Sequence, residues 1–343
     1  MRYAIPVVFL VGSMAAAPLQ AQAYDEQCAA APQSAQDACV KAIDLFRYVA
    51  PQLGTAIAGG NAILGSSGTL GGLGHFSFGL RVNVVGGDLP RVSDVPLSFN
   101  GAQSTSFTTK SQLMPLPVAD LAVGVFGGLP LGLTNVGGLD LLVSASYLPE
   151  FDANQVSVRV PGSSLQLGFG AKLGLIQEGL VLPGVSVSVL RRDLPTVNVV
   201  GKTAAVLASS GEDSVAVTGF DVNTTSWRVT AGKSFAMFGV AVGGGQDRYS
   251  YSADASATVH PTVGSPVTYA ITGIERAQLG GHDLRRLTRT SYFADLSMNL
   301  PFFRLVGEVG QVSGGDIPTF NTFSGKAADK SRIYGSVGAR FGW

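Results

Sequence analysis

Residues 332–343 read RIYGSVGARFGW. One set of positions, Ile333, Gly335, Val337, Ala339, Phe341 and Trp343, is apolar or small. The set between them, Arg332, Tyr334, Ser336, Gly338, Arg340 and Gly342, carries the charge and the hydroxyls. Period-two alternation sustained over a whole segment describes a strand with one greasy and one wet face. In a soluble domain such a strand runs on into a turn or tail, whereas here an aromatic residue is the last one.

The other end of the chain supplies a context. Met1-Arg2-Tyr3 is a short basic start, Ala4 to Val11 is an apolar run too short to cross a bilayer as a helix, and Ala21-Gln22-Ala23 is an A-x-A cleavage pattern. Residues 1–23 therefore read as a secretory signal peptide, with Tyr24 the first mature residue. The two cysteines, Cys28 and Cys39, form an even pair in an exported chain, which predicts a disulfide. Closing so short a loop is worth about 3 kcal/mol on the chain-entropy account. No histidine lies near either cysteine, so neither a metal nor any other cofactor is expected.

Charged residues make up 13% of the chain and mean hydropathy is +0.30, against about 25% charge in ordinary soluble domains. Beyond the signal peptide there is no apolar run long enough for a transmembrane helix. A hydrophobic exported chain without a spanning helix has one way to live in lipid, a closed ring of strands, because an open sheet edge leaves backbone groups unsatisfied there. The formal net charge of zero argues against a nucleic-acid partner.

A barrel requires the alternation to recur, and it does so ten times. The first segment runs near His75 to Leu89, with Phe76, Phe78, Leu80, Val82 and Val84 set against Ser77, Gly79, Arg81 and Asn83. The second ends near Phe126, the third spans 139–147 and the fourth, the clearest, spans 164–175. The fifth covers 185–192, the sixth 227–232 and the seventh 238–251. The eighth covers 291–300, the ninth 303–309, and the quoted stretch is the tenth. In the seventh, Tyr249 and Tyr251 fall on the parity opposite to Phe238, Val240 and Val242, which predicts a bulge at Gly243-Gly244-Gly245. The connections then sort by side. Long ones near 90–113, 198–214, 256–284 and 313–330 share one end, and tight ones near 128–136, 176–183, 234–237 and 300–302 share the other. Aromatic residues sort too, with Phe76, Phe303, Phe341 and Trp343 at the tight end and Tyr147, Trp227, Tyr249, Tyr251 and Tyr292 at the other, as interfacial girdles require. The expected fold is all-β, a transmembrane antiparallel up-and-down barrel of about ten strands. Twelve to fourteen follow if segments 102–113 or 155–160 pair fully.

A terminal alternating strand ending on an aromatic residue resembles the C-terminal signature of Gram-negative outer-membrane β-barrel proteins. The resemblance rests on the signal peptide, on Phe341 and Trp343, and on the strand rhythm over residues 73–343. It implies an outer-membrane location, contact with outer-membrane lipids and lipopolysaccharide, and recognition of the last strand by the barrel-assembly machinery. The family usually ends in Phe, and Trp343 is a variant of that signature.

Residues 24–72 do not alternate. Ala35 to Ala50 reads as an amphipathic helix with Cys39, Ile43, Phe46 and Val49 or Leu45 on one stripe, stopped by Pro51. The Gly/Ser-rich stretch that follows also holds Ile57, Ile63, Leu64, Leu70 and Leu73, too apolar for a free linker. The segment is expected either to plug the barrel or to cap it from the periplasm. An apolar N-terminal hatch ahead of strand one resembles the fatty-acid and hydrocarbon transporters of the FadL type, whose barrels typically have 14 strands.

The polar faces place Arg81, Lys172, Arg192, Arg228, Arg304, Arg332 and Arg340 in the bore beside Asp120, Asp140, Asp295 and Glu308. Such charges either form a salt-bridge network that fills the bore, or line a channel whose basic excess favours anions. Enzyme signals are poor. His75, His260 and His282 sit in no metal spacing, there is no nucleophile elbow, and His282-Asp283 is a single loop pair. The expected role is a narrow channel or transporter for small or apolar solutes, gated by the N-terminal segment. The alternative is a non-transporting surface barrel, an anchor or adhesin, or an outer-leaflet enzyme.

Overall fold

The computed structural model describes residues 26–153, 156–202, 214–259, 267–271, 287–315 and 317–342. The signal peptide, the cleavage site, His260, His282, Asp283 and Trp343 lie outside them. Ten strands make the wall: β1 (Phe76–Pro90), β2 (Thr109–Phe126), β3 (Gly138–Tyr147), β4 (Leu165–Ile176) and β5 (Gly184–Asp193), then β6 (Ser214–Phe235), β7 (Phe238–Val259), β8 (Leu287–Asn299), β9 (Arg304–Val312) and β10 (Arg332–Gly342). Each pairs antiparallel with its neighbours in sequence, and β10 closes on β1 through a ladder running from Ser77 opposite Gly342 to Val85 opposite Tyr334. The sheet therefore has no free side, as hydrocarbon demands. The chain is a closed transmembrane β-barrel.

Side chains take the sides that the alternation assigns. Leu167, Phe169, Val229, Leu296, Val309 and Val337 face outward and are exposed, whereas Arg81, Lys172, Ser188, Asp295 and Ser336 face the bore and are buried. The segment at 155–160 does pair, but not as an eleventh stave. Val156–Arg159 joins Val197–Lys202, which joins the upper part of β6, so these short strands extend the sheet beyond the rim at the long-loop end.

The expected bulge at Gly243–Gly245 is absent. The β7 ladders run unbroken through the three glycines, and the irregularity lies in β6, between Thr218 and Asp221. The phase is kept, so Tyr249 and Tyr251 point into the bore instead of joining an outer girdle, and both are buried. Two tyrosines inside a barrel look like a phase slip when no apolar partner within the bore is foreseen. Gly243 has its own reason: a Cβ there would lie 2.4 Å from the ring of Phe293, another inward aromatic.

The partner inside is the N-terminal segment. A short helix α1 (Glu26–Ala29) is tied by the Cys28–Cys39 disulfide to α2 (Gln33–Ala58). Helix α2 enters at the long-loop end, where Gln33 accepts a bond from Gly101, and runs down the bore. Pro51 does not stop it. The ring removes the one main-chain donor that would reach the Arg47 carbonyl, but α2 is buried along almost all of its length and the surrounding wall confines it. Nor is one stripe alone buried. Ile43 and Phe46 pack on Phe220 and Tyr251, and Leu45 and Tyr48 on Phe107 and Phe323. Residues 91–108, 313–315 and 317–331 fold over the same end, joined by a parallel pairing of Ser106–Phe107 with Thr322–Phe323.

Since even one added methyl group must displace the Phe293 ring or the wall, Gly243→Ala is expected to destabilise the barrel by about 1–3 kcal/mol. Lowered heat resistance of the folded band on gel electrophoresis checks this.

Candidate functional site

The bore is the place where the sequence concentrates charge, and the structure fills it with main chain. Below Ala58 the chain leaves the helix and crosses the lower bore as residues 59–72, and the predicted lining residues hold it. Arg81 donates to the Asn61 carbonyl at 3.0 Å, Lys172 to that of Ser66 at 2.9 Å, Arg304 to that of Gly65 at 3.0 Å and Arg340 to that of Leu64 at 2.9 Å. Carboxylates receive the amides. Glu308 accepts from the Asn61 N–H at 2.7 Å and Asp140 from that of Leu70 at 3.1 Å. Asp295 takes the Asn61 side-chain amide at 2.7 Å and the Gly65 N–H at 3.2 Å.

The end of α2 explains much of the basic excess. The last carbonyls of a helix lack intrahelical donors and form its negative pole. Here Ala56 accepts from Asn83 at 3.2 Å, Ile57 from Arg192 at 3.5 Å and Ala58 from Arg228 at 3.1 Å. Two of the predicted residues do not touch the plug in this way. Asp120 bridges Arg81 at 2.8 Å and Arg192 at 3.5 Å, and Arg332 pairs with Asp88 at 3.3 Å near the long-loop rim.

Close approach also requires small residues on the wall. A Cβ on Gly124 of β2 would come within 2.3 Å of the Gly72 carbonyl oxygen, so the lower plug can lie flat on this strand only if glycine stands there.

Three contributors were not foreseen from sequence. Asp247 pairs with Arg228 at 2.6 Å, Arg289 donates to Thr55 at 3.3 Å, and Gln177 clasps Thr69 through both ends of its amide. Asp247 was hidden by the supposed bulge, since an unbroken phase puts it on the face of Tyr249. Arg289 lies just beyond the alternating part of β8, and Gln177 in a turn.

Where α2 meets the loop cap, Asp44 accepts from the backbone and side chain of Asn321 at 2.7 and 2.9 Å, with Arg47 at 3.4 Å. Burial pushes its carboxyl up from 3.8 to about 6 despite Arg47 and Asn321.

The wall itself has one irregular seam. Beyond Val118 opposite Ser146 the β2–β3 ladder ends, while β2 continues against β1 as far as Thr109 opposite Pro90. Gly124 donates to His75 across the β1 side at 2.9 Å, so the even-numbered residues of β2 turn their N–H groups toward β1 and the odd-numbered ones toward β3. Pro115 and Pro117 are odd. The donors they lack are therefore those that would have zipped β2 to β3. A depression of about 390 Å³ lies over this stretch, lined by Leu80, Val82, Pro117, Ala119, Ala145, Tyr147 and Leu165. On the inner side, Leu116 and Val118 belong to the apolar cluster that holds Cys28, Cys39, Val158 and Val160.

No protein-family model matches the chain, and no curated protein matches it. Among solved structures it is similar to an outer-membrane channel from Pseudomonas putida F1, at 8% identity and TM-score 0.31, covering 81% of this chain and 99% of that one. It is also similar to the toluene transporter TodX from Pseudomonas putida, at 10% identity and TM-score 0.28, covering 84% and 96%. A third is the outer-membrane protease OmpT from Escherichia coli, at 9% identity and TM-score 0.31, covering 78% and 96%. At such values these likenesses do not assign an activity.

Two outcomes are expected. Removing the paired clasp on Asn61 and Gly65 with Asp295→Asn plus Glu308→Gln should speed amide hydrogen exchange in residues 59–66 and leave the β-wall amides protected; equal protection in the variant would contradict the clasp. For Asp44 the folded value exceeds the unfolded one, so its contribution to docking α2 is complete below about 3.8 and is lost as pH rises through about 6. The guanidinium midpoint should therefore fall between about pH 4.5 and about pH 7.5, by less in Asp44→Asn than in the native protein.

Proposed function

We propose that this protein is an outer-membrane transporter for small apolar solutes, closed along its axis by its own N-terminal segment and open to lipid through the β2–β3 seam. The seam is the observation that carries the reading. Two prolines remove the donors that would close the wall there, apolar side chains line both faces of the gap, and an apolar cluster lies directly behind it. The partner strand stops here as well, β3 ending at Tyr147 ahead of Pro149, so neither side continues the ladder.

On this reading the charged bore is the lock and not the path. Lining cations spend their donors on plug carbonyls, which leaves no free basic ring to select anions among the described residues. An apolar solute would enter near the long-loop end, pass the cluster around Cys39, Leu116 and Val158, and leave sideways into the hydrocarbon. Outer-membrane placement accords with the exported start of the sequence and the strand-ten ending, in which Phe341 and Trp343 would engage the barrel-assembly machinery. Lipids and lipopolysaccharide would then surround the apolar belt.

A second reading, a non-transporting anchor or adhesin, is favoured by the density of bonds that hold the plug. Uptake of a radiolabelled monoaromatic hydrocarbon by Gram-negative cells producing the protein separates the two. The transport reading expects uptake above empty-vector cells, reduced several-fold in Pro115→Val plus Pro117→Val as β2 zips onto β3. It expects no ion conductance from the intact protein in planar bilayers, and steps only after removal of residues 24–60. No uptake, or uptake unchanged in a correctly folded double variant, would sink it.

A further inference from the structure

The short-turn end of the barrel does not look like a surface that stands in water. Its turns read Leu-Pro-Leu-Gly-Leu-Thr-Asn-Val at 129–136, Gly-Leu-Val-Leu-Pro at 179–183, Phe-Ala-Met-Phe at 235–238 and Leu-Pro-Phe-Phe at 300–303. Every one carries an apolar tip. Leu133 is 86% exposed, Leu180 98% and Phe302 86%, with Leu129, Leu131, Val181, Phe235 and Met237 also exposed. Exposed apolar surface concentrated at one end marks an interaction site.

The polar groups at this end are turned away from the surroundings. Lys233 stands on the lipid-facing register between Ala231 and Phe235. Its ammonium nonetheless folds back onto the turn carbonyls of Gly179, Leu180 at 2.9 Å and Leu182 at 3.3 Å. Glu178 accepts from the Ser234 N–H at 2.6 Å. Thr134 donates to the Gln177 carbonyl at 2.6 Å, and the Asn299 amide to that of Ala236 at 3.0 Å. A lysine in water has no need to bond three carbonyls of a neighbouring turn, whereas one at an apolar boundary does.

The apolar face runs without a break into these turns. On β7 it begins at Phe238 and on β9 at Phe303, both turn residues, and on β4 the outward positions from Leu165 to Leu175 are apolar down to the turn that holds Leu180.

From these three observations we propose that the short-turn rim is a membrane-embedded collar: the turns at 129–136, 179–183, 235–238 and 300–303 sit among the lipids of the adjoining leaflet and continue the belt. The occupant is lipid because the collar is continuous with the lipid-facing strands above it and nearly free of outward charge. This is independent of whether the barrel transports anything. It sets the depth of the barrel, and with it the level at which the β2–β3 seam meets the hydrocarbon.

The test uses the full-length protein reconstituted in phosphatidylethanolamine–phosphatidylglycerol vesicles, with a fluorophore on Leu133→Cys, Leu180→Cys or Phe302→Cys. Leu296→Cys in the belt and Arg248→Cys above it serve as references, and the buried native disulfide stays intact. Nitroxide lipids labelled near the headgroup should quench the three collar sites about as strongly as deeper nitroxides quench Leu296→Cys, and aqueous iodide should have little effect. Collar sites that respond to iodide as Arg248→Cys does would overturn the proposal, and the apolar rim would then belong to a protein partner. A variant that fails to fold is recognised by loss of heat-modifiable gel migration, and the remaining two sites then decide the outcome.

Discussion

A strand with lipid on one side has a single place to put its charge, and in this barrel that place is already occupied by protein. The bore is too narrow to hydrate Arg81, Lys172, Arg192, Arg228, Arg304 and Arg340 and also admit a helix. Their donors must therefore end on something, and what they end on is the main chain of residues 57–66. Charge-assisted hydrogen bonds of this kind are worth about 1.5–3 kcal/mol each, and the loss of one partner leaves a buried charge exposed to full desolvation. Wall and plug are in this sense one structure: neither satisfies its polar groups without the other.

That mutual dependence separates two tasks within the barrel. The axis is sealed by polar contacts that are individually strong and collectively hard to break at once. The seam between β2 and β3 is weakened by the opposite device, the deletion of two donors at Pro115 and Pro117, with apolar side chains on both faces. The loop cap over α2, pinned at Asp44 and Asn321, packs through Phe320 on the apolar cluster that backs the seam.

Much of the wall was legible from the sequence because lipid enforces a simple code. Outward residues must be apolar and inward ones polar or small, so the pleat imposes period two wherever both sides are that different. Strand four follows it throughout, and strands eight and ten depart from it only at Phe293 and Tyr334. The code failed where the inside was not wet. Tyr249 and Tyr251 are apolar for the sake of Phe46 and its neighbours, and an alternation rule that equates inward with polar reads them as a slip in phase. Pro51 misled for a related reason: confinement by the wall holds α2 together across a residue that ends a free helix.

By itself the sequence determined the barrel class, the ten staves and the facing of most of their residues, Tyr249, Tyr251, Asp247 and Arg289 excepted, since each of these follows from local periodicity against a fixed pleat. Only the tertiary structure decided what the charges in the bore do. Whether an arginine lines water or clasps a carbonyl depends on where residues 26–72 lie, and nothing local encodes that placement. The same holds for the seam: prolines at 115 and 117 are visible in the sequence, but which neighbour lacks its donors is settled by the register of β2 against β1 and β3.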